Sequence, residues 1–563
     1  MSSAPPSATP ASRRPRLSLA GVLRLRRPSE IWFKPALSSV AAVAPPNLLL
    51  LALGRLDLAM YTMAGSLCAL YAHNRPYAVR ARVLAGVVLG MLGGVAVALL
   101  TASLTRKAVV LVTVGALLAA AQKALCDATR IGPPGHVVLT FISSATLFVP
   151  QTLAQIPAHL ALGAAAGAWA WLVCMAPFLV RPHGPERRAT AQALNAAAAC
   201  VDTRGTGDGH AAARAAGYAA VQNAWQTLLA VPATGARAGT RHALERLVVR
   251  AEVALAAPAE TDPEPLRRWA RALRGTGRVP RTGDDPAGAD ELLGVEAELA
   301  ARPTPLWHRL GPTAPVAVRT ALGCALAGYA SLALGIGRPY WALVTAAALY
   351  QANLTLTWSR AVQRVVGNLA GVLLFAAIAP LAHLGPVLLV LLCLALNFGA
   401  EALITRNYWL GSVCVTPMAL LVTEFAGYQE PGSLITERVV DTLVGALVGF
   451  LAAVAVTDRG AGNRVERALL TADRAREHTA RLLAEPDPSP GALEAARRAL
   501  AGALTDLRAT VDSAAGEWWG RALPQERVVL AERSGHRTLA AAVRRRAARP
   551  DRDTSATAED VRP

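Results

Sequence analysis

The sequence predicts an all-α polytopic membrane protein of about 12 transmembrane helices. They form two parallel six-helix repeats with cytoplasmic helical regions. Three observations carry that prediction. Only 17% of the 563 residues are charged, against about 25% in soluble proteins. The shortage is concentrated: Ile131–Val180 and Val365–Ala400 hold no Asp, Glu, Lys or Arg. A bilayer core takes roughly 20 apolar residues per helix, so such runs hold more than one crossing.

Residues 1–30 are polar and basic, with Arg13, Arg14, Arg16, Arg24, Arg26 and Arg27. They lack the apolar stretch of a signal peptide and read as a disordered cytoplasmic tail. Residues 31–181 are the first transmembrane block. Its expected spans are Lys34–Leu53, Leu58–Ala72, Arg82–Leu104, Ala108–Gln122, Gly135–Leu153 and Pro157–Val180. Pro45-Pro46 should break or kink the first. Residues 182–309 form a polar, Ala-rich helical region. Leu244, Leu247, Val248, Ala251 and Leu255 share one helical face there. Loops rich in Gly, Asp and Pro interrupt it at Thr203–Gly209 and Gly283–Ala289.

Residues 310–457 are the second transmembrane block. Its spans are expected at Pro312–Leu334, Tyr340–Thr357, Val365–Leu381, Gly385–Phe398, Tyr408–Thr423 and Val440–Val456. Residues 458–543 form a second polar helical region, striped by Leu500, Leu504, Leu507 and Val511. Residues 544–563 are charged without an apolar period and read as a disordered tail.

Loop charge sets the orientation. With both termini cytoplasmic, the inner loops carry Arg75, Arg80 and Arg82, Lys123 and Arg130, Arg360 and Arg364, and Arg406. The outer loop before the last span holds Glu424, Glu430 and Glu437. Arg106 and Lys107 oppose the rule and are outnumbered. The excess of Lys and Arg over Asp and Glu, 57 to 38, follows from this topology. It does not call for nucleic acid, and the lipid bilayer is the expected partner. The seven cysteines form no CxxC pair, and His136, His159 and His383 have no metal-ligand spacing. No metal or cofactor is expected. Phosphate-loop, nucleophile-elbow and zinc-protease motifs are missing, which disfavours an enzyme.

The two blocks resemble each other. Tyr61 and Tyr71 are spaced as Tyr340 and Tyr350 are. Each pair precedes an Arg-containing loop and a Gly-spaced helix, with Gly86 and Gly90 in one half and Gly367 and Gly371 in the other. Small residues four apart let helices approach closely. An even number of spans separates the halves, so both point the same way, as in transporters built from parallel repeats.

Gly337-Arg-Pro-Tyr-Trp-Ala-Leu-Val-Thr345 and Arg360-Ala-Val-Gln-Arg-Val-Val-Gly367 stand in the second block. Arg406-Asn-Tyr-Trp, Thr416-Pro417 and Arg438-Val-Val-Asp441-Thr-Leu-Val-Gly445 follow. On these motifs the chain resembles the fusaric acid resistance / aromatic acid exporter (FUSC-like) family of membrane proteins, specifically from about Arg319 to Val456. It departs at Asn368, where the family often has Thr, and the first half keeps only the repeat skeleton. The resemblance implies a bacterial inner-membrane exporter of small aromatic or amphipathic organic acids, driven by the proton gradient. The alternative is a non-transporting scaffold whose cytoplasmic helices recruit a partner. The two amphipathic stripes need a covering surface, so a homo-oligomer is expected as an option.

Ionisable groups inside a membrane are costly and mark function. Glu401 ends an uncharged run, and Lys123 occupies the matching place in the first half. The two are expected to form a pseudo-symmetric ion pair, or to sit wetted at helix ends. Arg338, Tyr340 and Trp341 open the eighth span and would offer a cation and rings to an aromatic anion, or form an interfacial belt. Gln351 and Asn353 would line a polar path toward its end. Arg360 and Arg364 share a helical face and either mark the inside or, with Arg406, line the path. Asp441 would take up a proton, or pair with Arg438.

Overall fold

A computed structural model describes residues 17, 19, 21–25, 32–203, 208–231, 238–259, 261–275, 277–280, 305–456, 460–515 and 524–547. Among these residues all regular structure is helical. The first apolar block comprises α1 (Phe33–Ala52), α2 (Ala59–Ser66), α3 (Tyr77–Leu104), α4 (Ala108–Ala128), α5 (Val137–Leu147) and α6 (Ile156–Met175). A polar set follows: α7 (Gly184–Asp202), α8 (Asp208–Leu229), α9 (Ala238–Ala256) and α10 (Pro263–Arg274). The short α11 (Leu306–Leu310) leads into the second apolar block. That block holds α12 (Ala314–Ala333), α13 (Tyr340–Leu349), α14 (Leu354–Ala382), α15 (Pro386–Ile404), α16 (Tyr408–Thr423) and α17 (Pro431–Ala455). The chain continues with α18 (Ala461–Ala484), α19 (Pro490–Ala515) and α20 (Gln525–Ala547).

Apolar helices overlap the expected spans, but the expected Tyr340–Thr357 is divided between the end of α13 at Leu349 and the start of α14 at Leu354. Among the described residues, nine are long and apolar enough to cross a bilayer, while Leu56–Leu70, Val137–Leu147 and Tyr340–Leu349 are shorter. The ten residues of α13 reach only about 15 Å, half of a hydrocarbon core. All ten are buried, so protein rather than lipid surrounds this helix. It ends where Tyr350 turns extended, and Asn353 caps α14 by accepting from Leu356 N at 2.9 Å.

Packing crosses between the blocks. α1 lies on α15, and α12 lies on α4. Within the blocks, α2 on α6 recurs as α13 on α17, and α3 on α5 recurs as α14 on α16. These contacts are close. A Cβ on Gly65 of α2 would stand 2.1 Å from Gly163 O of α6. One on Gly445 of α17 would stand 2.5 Å from Ala342 O of α13. The expected small-residue faces are only half used. Gly367 and Gly371 seat α14 against Ser412 and Thr416 of α16, whereas Gly86 and Gly90 have nothing within 4 Å. In the first block the contact falls at Gly94, against Gln122 and Ser143. α1 is also not broken at Pro45-Pro46. Its burial against α15 and α2 holds it, with Ser39 exchanging hydrogen bonds with Asn397 of α15.

The two polar segments build one helical layer with a common core. The stripe Leu244, Leu247, Val248, Ala251 and Leu255 joins Leu500, Leu504, Leu507 and Val511 in it. Each stripe therefore has its covering surface within the chain. An ion cluster fixes the seam: Arg497 of α19 binds Glu252 of α9 and Glu494, both at 2.7 Å. Trp225 Nε1 of α8 donates to Glu252 at 2.8 Å. Burial alone would lower the Arg497 pKa, but the charges of Glu252 and Glu494 outweigh it and raise it. The layer touches the second block where Asn353 Nδ2 donates to Asp512 O at 3.4 Å.

The expected disorder of the N-terminal tail fails over its described part. Val22 O accepts from Gln363 and Asn407, and Leu23 O accepts from Trp409. This stretch straps the adjoining ends of α14 and α16. The rest of residues 1–30, all of Gly283–Ala289 and the last 16 residues of the expected 544–563 tail lie outside the described residues.

Candidate functional site

The buried charge of the second block gathers where α13, α14, α16 and α17 meet. The Gly445 contact brings α13 against α17, and this places Trp341 beneath Arg438. The Arg438 guanidinium carbon lies 4.0 Å from the Trp341 ring centroid. Arg438 is 1% exposed, and its Nε and Nη1 have no hydrogen-bond partner. One helical turn on, Asp441 is fully buried. Ser331 of α12 donates to its Oδ1 at 2.6 Å, while Oδ2 has no partner. No direct ion pair joins Arg438 to Asp441, so each keeps buried, unbonded polar atoms.

A second tier lies alongside. Arg364 of α14 is buried and donates from Nη1 to Tyr408 OH at 2.9 Å, leaving its Nε without a partner. Arg360 stacks on the same Tyr408 ring at 3.9 Å. Burial and this contact set Arg364 apart from a loop marker of topology. Asn368 ties three helices together. Its Oδ1 accepts from Thr416 of α16 at 2.8 Å, and its Nδ2 donates to Thr442 of α17 at 3.0 Å.

The aromatic wall comes from both blocks. Trp341 stacks on Phe141 of α5 at 5.7 Å between centroids, and Tyr340 meets Phe148 at 5.6 Å. His136 Nε2 lies 3.1 Å from Ala347 O. The first block thus covers the face of α13 that carries the rings.

The other expected site residues lie elsewhere. Lys123 holds Asp127, one turn along α4, at 2.8 Å. It forms no ion pair with Glu401, and the expected pseudo-symmetric pair is corrected on that ground. Glu401 is partly buried on α15 and has no ion pair among the described residues. Arg338 is engaged at the rim by Glu437 at 2.7 Å and Gln429 at 2.9 Å. Arg406 is exposed in the turn before α16. Gln351 and Asn353 serve the turn between α13 and α14. Gln351 N donates to Thr357 Oγ1, and Asn353 caps α14. Sequence reasoning gave Arg438 only as a partner of Asp441 and Asn368 only as a departure from a family pattern. Their polarity within an apolar run was the available signal.

This arrangement is chemically asymmetric. A buried cation with free N–H groups over an indole suits a planar anion, since charge-assisted hydrogen bonds and a ring face act together. A half-bonded buried carboxyl one turn away suits proton exchange.

Comparison with known proteins singles out this same part of the chain. Residues 324–452 match the family described as fusaric acid resistance protein-like. The match encloses Trp341, Arg364, Asn368, Arg438 and Asp441. The chain is also 27% identical over 461 residues to the uncharacterized membrane protein YvaC of Bacillus subtilis (strain 168). That alignment covers 74% of this chain and 72% of YvaC. No solved structure matches.

Proposed function

We propose that this protein is a bacterial inner-membrane exporter of small aromatic or amphipathic organic acids, coupled to the proton gradient. One observation carries the proposal: Arg438, buried over Trp341 with unbonded N–H groups, one helical turn from a half-bonded, fully buried Asp441. Leaving a buried donor or acceptor unbonded costs about 1–3 kcal/mol, and more for a charged group. A ligand that binds there and a proton that comes and goes give such atoms partners during turnover.

In this reading Arg438 receives the carboxylate, Trp341 and Tyr340 the ring, and Asp441 the proton. Arg364 holds Tyr408 and lines the path toward the α14–α16 ends. Glu401 lies on a neighbouring helix and is a second proton candidate; Arg406 and Arg338 mark its two mouths. Both termini and the polar helical layer are cytoplasmic, and the apolar blocks are two parallel six-helix repeats. The repeated packing of α2 on α6 and α13 on α17 supports that last element. An association of copies would use the apolar blocks, since the polar stripes cover each other.

The test is accumulation of labelled aromatic acids in cells with and without the protein, with and without a protonophore. The expected result is lower accumulation that the protonophore restores. Unchanged accumulation across the panel, with the protein present in the membrane, would move the weight to a scaffold role.

A further inference from the structure

We propose that the polar helical layer holds a binding site for a small ring-bearing polyanion of nucleotide size, separate from the membrane site. A cleft of about 520 Å³ opens between α8, α9 and α20. Arg214, Arg533, Arg537, His210, Tyr218 and His536 line it, over an apolar floor that includes Leu255. Among the described residues no carboxylate pairs with Arg214, Arg533 or Arg537. Among the described residues their guanidinium groups make one hydrogen bond, a long contact from Arg537 Nε to Arg533 O at 3.4 Å. Elsewhere in the layer the buried Arg241 and Arg497 are each held by glutamate. Three arginines left together around one cleft form a local excess of positive charge.

The wall of the cleft is aromatic. His536 stacks on Tyr218 with ring centroids 4.8 Å apart and planes 25° from parallel. The Nδ1 atom of His536 is buried and has no hydrogen-bond partner. Burial first, and then the charge of Arg214, push the His536 imidazole down to about 4. The ring is therefore neutral at pH 7 and offers a face and a hydrogen-bonding nitrogen. Charge on one side and a ring face on the other fit a planar heterocycle carrying several negative charges. Phosphate groups meet guanidinium forks, and the base meets the stacked pair. On the proposed topology the cleft faces the cytoplasm, where such molecules are abundant, but the binding test is independent of transport.

The experiment is calorimetric titration of the purified full-length chain with four probes: ATP, tripolyphosphate, adenosine and benzoate. ATP is expected to saturate one site per chain. Tripolyphosphate, which has the charge without the ring, is expected to bind about tenfold more weakly. Adenosine is expected not to saturate, and benzoate, a ligand class of the membrane site, is expected to leave the ATP affinity unchanged. The double variant R533E/R537E, at two exposed positions, should weaken ATP binding about tenfold or more while the ligand-free melting temperature holds. R537Q is the milder variant and should weaken binding in the same direction. No saturable ATP binding, or equal affinity in wild type and both variants, would overturn the site. Equal affinity for ATP and tripolyphosphate would overturn the role of the stacked rings.

Discussion

Each apolar block buries an arginine, Arg80 in the first and Arg438 in the second, and these two are bonded differently. In the first, Arg80 sits at the start of α3 and spends its donors on carbonyls: Nε to Ala72 O at 3.1 Å, Nη1 to Cys174 O at 3.2 Å, and Nη2 to His73 O. Beside it His73 lends its carbonyl while its own Nε2 has no partner, and farther along α3, at Gly94, Gln122 is bonded to both Ser143 and Thr140. In the second block Arg438 keeps two nitrogens unbonded and Asp441 one oxygen. Similar packing pairs thus support one arginine that closes a loop and another that is held ready. The first ties α3 to the turn before it and to α6. The second is the centre of the proposed site.

That difference is open to direct challenge. The largest effect is expected from R438Q, which removes the cation over Trp341. Transport of an aromatic acid should fall about 100-fold, as the loss of charged hydrogen bonds to a buried anion implies, and initial efflux rates would show it. D441N comes next. Asparagine keeps an oxygen for Ser331 but loses the exchangeable proton. Efflux should drop about tenfold or more, and the remainder should lose its dependence on an imposed pH gradient. R80Q should act on the fold instead. Three carbonyls lose donors, so the melting temperature should fall, while transport per folded molecule stays within about twofold. The smallest effect belongs to the exchange of K123E with E401K. Lys123 is bound to Asp127, and a partly exposed i,i+4 pair is worth only about 0.3–0.5 kcal/mol. The double exchange should rescue nothing beyond the better single variant. Full rescue would restore a Lys123–Glu401 pairing and weaken the contrast between the blocks.

Much of this was legible in the chain. The charge-free runs located the apolar helices, and polar residues in or beside those helices, Asp441 within α17 and Arg338 just before α13, drew attention to the second block. The helical spacing of Leu244 to Leu255 marked a buried face. What stayed hidden depends on contacts between distant segments. Trp341 lies 97 positions before Arg438, and only the approach of Gly445 to Ala342 brings them together. The mutual covering of the two polar stripes is likewise a tertiary fact. Some features were readable and passed over. Asp127 stands four residues after Lys123, the spacing of a helical ion pair. Asn353 is a residue type that caps helices, and its place before Leu354 announces where α13 has already ended.

The most direct test of the central claim is equilibrium binding of a labelled aromatic acid to the purified protein, compared across wild type, R438Q and R80Q. The account expects wild type and R80Q to bind alike per folded molecule and R438Q to bind about 100-fold more weakly. Equal loss in R80Q and R438Q, or undiminished binding in R438Q, would contradict it.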